Sequence, residues 1–131
     1  MRKRMAICAA AIAAFACFGT LQAHHGTAYF FDTAKTITLE GDILRVEWVN
    51  PHRRLYIQSS NEKGELETWV LWGSSNFTGP GAAELKERLQ PGIFIVARAF
   101  PSRYSGVLEA GAGEIRFPNG DVESFGAGPT F

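Results

Sequence analysis

The stretch TITLEGDILRVEWVNPHRRLYIQS, residues 36–59, decides the fold that the sequence predicts. Its first part alternates apolar and polar residues, a pattern typical of a half-buried strand. Gly41 interrupts the alternation, and a glycine inside a strand favours a bulge or a sharp bend. Pro51 ends the run because proline has no N–H for a central sheet ladder. The stretch therefore predicts a long bent strand over residues 36–49 and a second strand over residues 54–59.

The rest of the chain adds three strand patterns and one helix pattern. Alternation of apolar residues predicts strands over residues 65–72, 93–100 and 107–117. Apolar residues at spacings of three and four predict a short helix over residues 82–89. Three strands, a helix and two strands form the element order of the OB-fold. We therefore expect an all-β fold, a small five-stranded OB-like barrel with one short helix between strands 3 and 4; a small β-sandwich is the alternative.

Residues 1–23 have the organisation of a secretion signal peptide. Three basic residues open the chain, and an apolar run over residues 5–18 follows them. This run is shorter than the roughly 20 residues that a membrane-spanning helix needs. Cleavage after Ala23 would leave residues 24–131 as one domain with an N-terminal arm and a loose tail over residues 126–131. We therefore expect a periplasmic or secreted protein without stable membrane insertion after cleavage.

Removal of the signal peptide changes the charge and the cysteine content. The signal contains three of the 13 Lys and Arg residues, and it contains none of the 13 Asp and Glu residues. Its removal therefore lowers the formal charge from 0 to −3. Without a basic excess to neutralise phosphates, nucleic-acid binding is not expected. Cys8 and Cys17 both lie in the signal, so the mature domain offers no disulfide, thiolate ligand or cysteine nucleophile.

Several short motifs resemble those of a family of small exported bacterial proteins of unknown function, the DUF6152 family. The motifs are His24-His25 after the signal, Trp-x-Asn-Pro-His at residues 48–52, Leu-Gln-Pro-Gly at residues 89–92 and Phe-Pro-Asn-Gly at residues 117–120. The chain departs from the family pattern at Gly26, where serine is usual, and at Ile93, where an acidic residue is usual. The resemblance implies export and a single small domain, and it implies no activity.

Three histidines, His24, His25 and His52, are the candidates for metal binding. After the expected cleavage His24 is the first residue, and its terminal amine and its imidazole can chelate one metal ion. His25 or His52 then supplies a third nitrogen, and a planar set of nitrogens favours copper(II) or nickel(II). Asp32 or Glu47 would add a carboxylate. This arrangement, a histidine brace, predicts a copper-binding carrier or sensor.

Two alternatives use the same part of the chain without a metal. In the first, the histidine pair is a polar start to the mature chain and His52 caps a turn. In the second, the domain is a periplasmic ligand-binding or adaptor module of OB type, with a small ligand or a periplasmic protein as its partner. Aromatic rings and paired arginines would bind the ligand, unless these side chains serve as core, turn and solvated surface residues. The ligand-face candidates are Trp48, Asn50, Arg53, Arg54, Trp69 and Trp72.

Enzyme motifs are absent from the sequence. It contains no Gly-x-Ser-x-Gly, no phosphate-binding glycine loop and no His-Glu-x-x-His. Gly111 and Gly113 lie in a strand pattern without a following helix, so they are not a dinucleotide fingerprint. A carrier, sensor or binding module is therefore favoured over an enzyme, and an oxidative enzyme built on the copper brace is a third hypothesis.

Overall fold

The structure is a computed structural model that describes residues 26–75 and 81–131. Within these residues the chain forms two short helices, α1 (Thr27–Phe30) and α2 (Ala82–Arg88). It also forms six strands: β1 (Ile37–Glu47), β2 (Arg54–Ser60), β3 (Leu66–Trp72), β4 (Phe94–Pro101), β5 (Glu109–Arg116) and β6 (Val122–Ser124). The predicted signal peptide and the pair His24-His25 lie outside the described residues.

The first five strands close into a barrel. β1 pairs antiparallel with β2 and with β4, while β2 pairs with β3 and β4 pairs with β5, also antiparallel. A parallel pairing of β3 with β5 closes the ring in the order 1-2-3-5-4. This is the OB-like barrel that the element order predicts, and it replaces the sandwich alternative. Helix α2 lies between strands 3 and 4 as expected, whereas α1 and β6 are additions that no pattern predicts.

Strand β1 is shared between two neighbours because it bends. Its first half pairs with β4 and its second half pairs with β2. Gly41 lies near this change of partner, where a Cβ atom would overlap the backbone carbonyl of Gln58. The register with β2 then shifts between Ile43 and Arg45. The bend predicted at Gly41 is confirmed, since the close approach of β2 needs a residue without a side chain and a bulge follows it.

The barrel interior holds a continuous apolar core. Each strand from β1 to β5 contributes alternate side chains to it, and α2 adds Leu85 and Leu89. Burying one such aliphatic side chain fully contributes about 1.5–3 kcal/mol. The fully buried large side chains are Ile43, Leu55, Ile57, Leu71, Leu89, Ile95, Ile115 and Phe125. A core of this kind supports a domain without disulfides, as the sequence requires.

The C-terminal segment packs along β5. The N–H of Gly128 donates to the carbonyl of Ala112 at 3.2 Å, and the N–H of Glu114 donates to the carbonyl of Pro129 at 3.1 Å. A Cβ atom on Gly113 would overlap the backbone of Pro129. This arrangement differs from the loose tail that the glycine-rich composition predicts, because those glycines allow two backbones to approach closely.

The N-terminal arm is attached to the loop between β4 and β5. The side-chain Nε of Arg103 donates to the carbonyl of Ala28 at 2.7 Å, and the backbone N–H of Arg103 donates to the carbonyl of Phe30 at 3.0 Å. Phe31 is buried, whereas Tyr29 and Phe30 are exposed. Across the described parts of the chain, no helix is long and apolar enough to cross a membrane.

Candidate ligand-binding cleft

A cleft of about 470 Å³ opens on the side of the barrel, and we refer to it as the side cleft. It lies between α1, the end of β3, the start of β5 and the C-terminal segment, and its lining is mostly apolar. Its principal side chains are Thr27, Phe30, Phe31, His52, Trp72 and Glu109. Small-molecule sites are concave, mostly apolar and about 300–1,000 Å³ in volume, so the side cleft has the size and lining of such a site.

Trp72 and Glu109 meet because β3 and β5 are parallel neighbours. Val70 pairs with Glu109 and Trp72 pairs with Gly111, so Trp72 and Glu109 lie on the same outer face of the barrel. The Nε1–H of Trp72 donates to Oε2 of Glu109 at 2.9 Å. This hydrogen bond fixes the indole and the carboxylate relative to each other. Both side chains are half-buried.

Phe31 reaches the side cleft because a glycine lies beneath it. A Cβ atom on Gly111 would come within 2.9 Å of the Phe31 ring. That distance is too short for a carbon–carbon contact, so any side chain at this position would push the ring away. Gly111 thus has a packing role at the cleft, and Gly113 has one beneath the tail. The sequence pattern excluded a dinucleotide fingerprint at this pair but did not indicate its packing roles.

His52 lies at the edge of the side cleft. It follows the Asn50–Pro51 peptide bond, which is cis, in the loop between β1 and β2. Its ring centroid is 6.1 Å from that of Trp72, with an interplanar angle of 66°. His52 is exposed, so its nitrogens lie where a bound molecule can contact them.

Arg53 is neither a solvated surface charge nor a lining residue of the side cleft, the two roles that the sequence left open. It is only 5% exposed, and its Nε donates to the carbonyl of Phe125 at 2.9 Å. Its Nη2 donates to the same carbonyl at 2.5 Å. Burial lowers the pKa of Arg53 from its usual value. The guanidinium therefore attaches the segment after β6 to the barrel instead of facing a ligand.

Arg54 points away from the core and contacts Trp72, a lining residue of the side cleft. Its Nη2 lies 2.9 Å from Oε2 of Glu47, and its guanidinium carbon lies 5.5 Å from the Trp72 ring centroid. Glu47 also pairs with Arg45. Of the two carboxylates proposed as metal ligands, Glu47 is therefore engaged in ion pairs.

Asp32, the other proposed carboxylate, is also engaged. Its Oδ2 lies 3.2 Å from Nζ of Lys35, and its Oδ1 accepts a hydrogen bond from the N–H of Ala34. The hydrogen bond from Lys35, followed by that from Ala34, holds the pKa of Asp32 below its ordinary value. Among residues 26–75 and 81–131, no three His, Cys, Asp or Glu side chains are close enough to hold a metal ion.

The three tryptophans do not form one binding platform. Trp48 and Trp69 are partly buried and pack against the apolar core. Trp69 and Trp72 are three positions apart on β3, so they point to opposite faces of the sheet. Asn50 is an exposed residue of the loop between β1 and β2. Of the six ligand-face candidates, the structure places only Trp72 in the side cleft.

Fold and cleft together define a small OB-like β-barrel protein with an apolar cleft at the junction of β3 and β5. The chain belongs to the family described as "Family of unknown function (DUF6152)", which it matches over residues 9–109. The matched range includes His52, Trp72 and Glu109. Comparisons with curated proteins and with solved structures gave no match.

Proposed function

We propose that this domain is an exported binding module that holds a small, partly aromatic ligand in the side cleft. The observation that carries the proposal is the cleft itself, which combines about 470 Å³ of mostly apolar volume with Trp72, His52 and Glu109 at its polar end. Apolar walls with a few convergent polar groups are the usual composition of a small-molecule site.

The position of the cleft in the barrel also supports a binding role. OB-folds use the face of strands 2 and 3 and the loops beside it, including the loop between strands 1 and 2, to bind ligands. Here His52 belongs to that loop, and Trp72 ends β3. Phe30 is 48% exposed at the same cleft, although its ring is apolar. A ligand that covered this ring would remove apolar surface from water, which favours binding.

Export is part of the proposal and rests on the sequence pattern. A basic start, a short apolar run and a small residue at Ala23 favour a cleaved leader. The formal charge of −3 and the lack of cysteines after residue 23 suit a periplasmic domain that folds without disulfides.

The experiment measures the binding of 1-N-phenylnaphthylamine, a neutral aromatic dye whose fluorescence rises in apolar sites. Ala127 lines the side cleft and is exposed, so Ala127→Phe fills the cleft without entering the core. Val122→Phe is the control, because Val122 is 40% exposed and does not line the cleft.

We expect the unsubstituted domain to bind the dye saturably. Ala127→Phe should lower the affinity for the dye at least tenfold, and Val122→Phe should keep it within twofold of the unsubstituted domain. Absence of saturable binding by the unsubstituted domain would contradict the proposal. Equal losses in the two variants would contradict it as well.

A second candidate is a carrier or sensor of metal, copper first. The observation that favours it is that Thr27 lines the same cleft as His52, and His25 and His24 are two and three residues before Thr27. Two to three residues of chain span at most about 7–11 Å. Chain length alone would therefore allow His24 or His25 to join His52 in a metal site at the side cleft.

A further inference from the structure

We propose that the side cleft selects an organic cation, a group of the quaternary alkylammonium type, over a neutral ligand of the same shape. This inference rests on the proposed binding function and names the ligand class of the same site. It is carried by three aromatic rings, one carboxylate and the absence of Lys and Arg among the described residues that line the cleft.

Aromatic rings supply the first part of the selectivity. Phe30, Phe31 and Trp72 all line the side cleft. The face of an aromatic ring carries negative charge density, so it attracts a cation that has lost part of its water. Trp72 already interacts in this way with Arg54, whose guanidinium carbon is 5.5 Å from the ring centroid. Arg54 does not line the cleft, and its ion pair with Glu47, a carboxylate that it shares with Arg45, offsets part of its charge.

Glu109 supplies the second part. It accepts one hydrogen bond from Trp72 at Oε2, and within the described parts of the chain no Lys, Arg or His forms an ion pair with it. A half-buried carboxylate beside apolar rings has given up water without gaining a counter-charge. A bound cation would provide that counter-charge, whereas a neutral ligand of the same shape would not.

The same groups disfavour an anion. A negative ligand in the side cleft would lie beside the Glu109 carboxylate and against the negative faces of the rings. Arg53 and Arg54, the paired arginines among the ligand-face candidates, do not line the cleft: Arg53 donates to the carbonyl of Phe125, and Arg54 pairs with Glu47. Among the described residues, the lining of the side cleft therefore contains no Lys or Arg that would pair with an anion.

Two probes that differ only in charge test this inference. Phenyltrimethylammonium and tert-butylbenzene have nearly the same shape, since N⁺ in the first replaces a carbon in the second. Binding is followed by ¹H–¹⁵N NMR at the indole N–H signal of Trp72, assigned from its loss in Trp72→Phe. This readout reports on the side cleft and not on other surfaces.

We expect the cation to bind about tenfold more tightly than the neutral probe. Glu109→Gln removes the negative charge and keeps an oxygen that can accept the hydrogen bond from Trp72. It should therefore weaken the binding of the cation alone and reduce the ratio of the two affinities to threefold or less. Glu114→Gln is the matched control, because Glu114 lies on the same strand but outside the cleft. Its substitution changes the net charge of the domain by the same amount. The control should keep the tenfold ratio.

Each other outcome overturns a distinct statement. Equal binding of the two probes to the unsubstituted domain would overturn the cation preference and leave ligand binding in place. A tenfold ratio that survives Glu109→Gln would overturn the role of Glu109. No shift of the Trp72 signal with either probe, together with no dye binding, would overturn the proposed function itself. If Glu109→Gln fails to fold, the comparison of the two probes on the unsubstituted domain still decides the preference.

Discussion

The substitution Arg53→Met should destabilise the domain far more than the same substitution at its neighbour, Arg54. Methionine keeps an unbranched apolar stem in the space of the arginine stem and removes the guanidinium. Arg53 is 5% exposed and donates from Nε and Nη2 to the carbonyl of Phe125. Arg54 is a half-buried surface residue whose charge pairs with Glu47.

The magnitude follows from the contacts that are lost. A hydrogen bond from a charged donor contributes about 1.5–3 kcal/mol to stability. The carbonyl of Phe125 keeps one partner after the substitution, because the N–H of Ser74 also donates to it at 3.1 Å. Removal of a buried charge also recovers part of its desolvation cost. We therefore expect Arg53→Met to lower the free energy of unfolding by about 2 kcal/mol, against about 0.2–1 kcal/mol for Arg54→Met.

Urea denaturation measures this difference. With a slope of about 1–3 kcal/mol per molar urea for a small domain, a loss of 2 kcal/mol moves the midpoint down by roughly 1 M. Tryptophan fluorescence and far-UV circular dichroism should give the same midpoint if unfolding is two-state. Midpoints for the two variants that agree within 0.2 M, a margin of roughly 0.4 kcal/mol, would refute the structural role assigned to Arg53.

Three further predictions concern the tail, the metal and the leader. Gly128→Ala should lower the free energy of unfolding by about 1–3 kcal/mol, since the added Cβ would overlap the backbone of Gly113. The control Gly26→Ala adds a Cβ in open space and should change the free energy of unfolding by less than about 0.5 kcal/mol. Equal urea midpoints for the two variants would contradict the close packing of the tail. His52→Ala should weaken copper(II) binding at least tenfold in a calorimetric titration, and unchanged affinity would remove His52 from the metal site. The protein exported with its own leader should have the intact mass of residues 24–131, and a mass that includes the leader would contradict cleavage after Ala23.

Local patterns were sufficient to predict most of the barrel. The alternation in residues 36–59, the glycine within it and the helical spacing of Leu85 and Leu89 are each local, and each element appears within one or two residues of its predicted bounds. The closing contact is different, because β3 and β5 pair in parallel across 39 positions of chain, as from Val70 to Glu109. Pairing between distant segments leaves no period in either one, so the cleft that it creates was not predictable from local patterns.

The same reasoning explains why the grouping of the candidate site residues could not be predicted. Arg53 and Arg54 are the same residue type at neighbouring positions, and the contacts of Arg53 with Phe125, 72 positions away, are not visible in the local sequence. Glu109 carries no motif, and its importance comes from Trp72 on another strand. Trp72 itself was a candidate because aromatic residues are frequent in ligand sites, but its separation from Trp48 and Trp69 depends on strand orientation. Residue type could therefore suggest members of the site, while their grouping required the fold.

The two proposed functions predict opposite responses to the same pair of variants, and this contrast separates them. If the side cleft binds an organic cation through Glu109 and its rings, Glu109→Gln should weaken phenyltrimethylammonium and leave most of any copper affinity. If the histidines hold copper, His52→Ala should weaken copper and leave the organic cation within about twofold, because imidazole is only one part of the cleft lining. Saturating copper should also displace phenyltrimethylammonium from the Trp72 signal if both occupy the side cleft. Undisturbed binding of the two together would place any copper site elsewhere, and the cleft would then remain a site for small ligands alone.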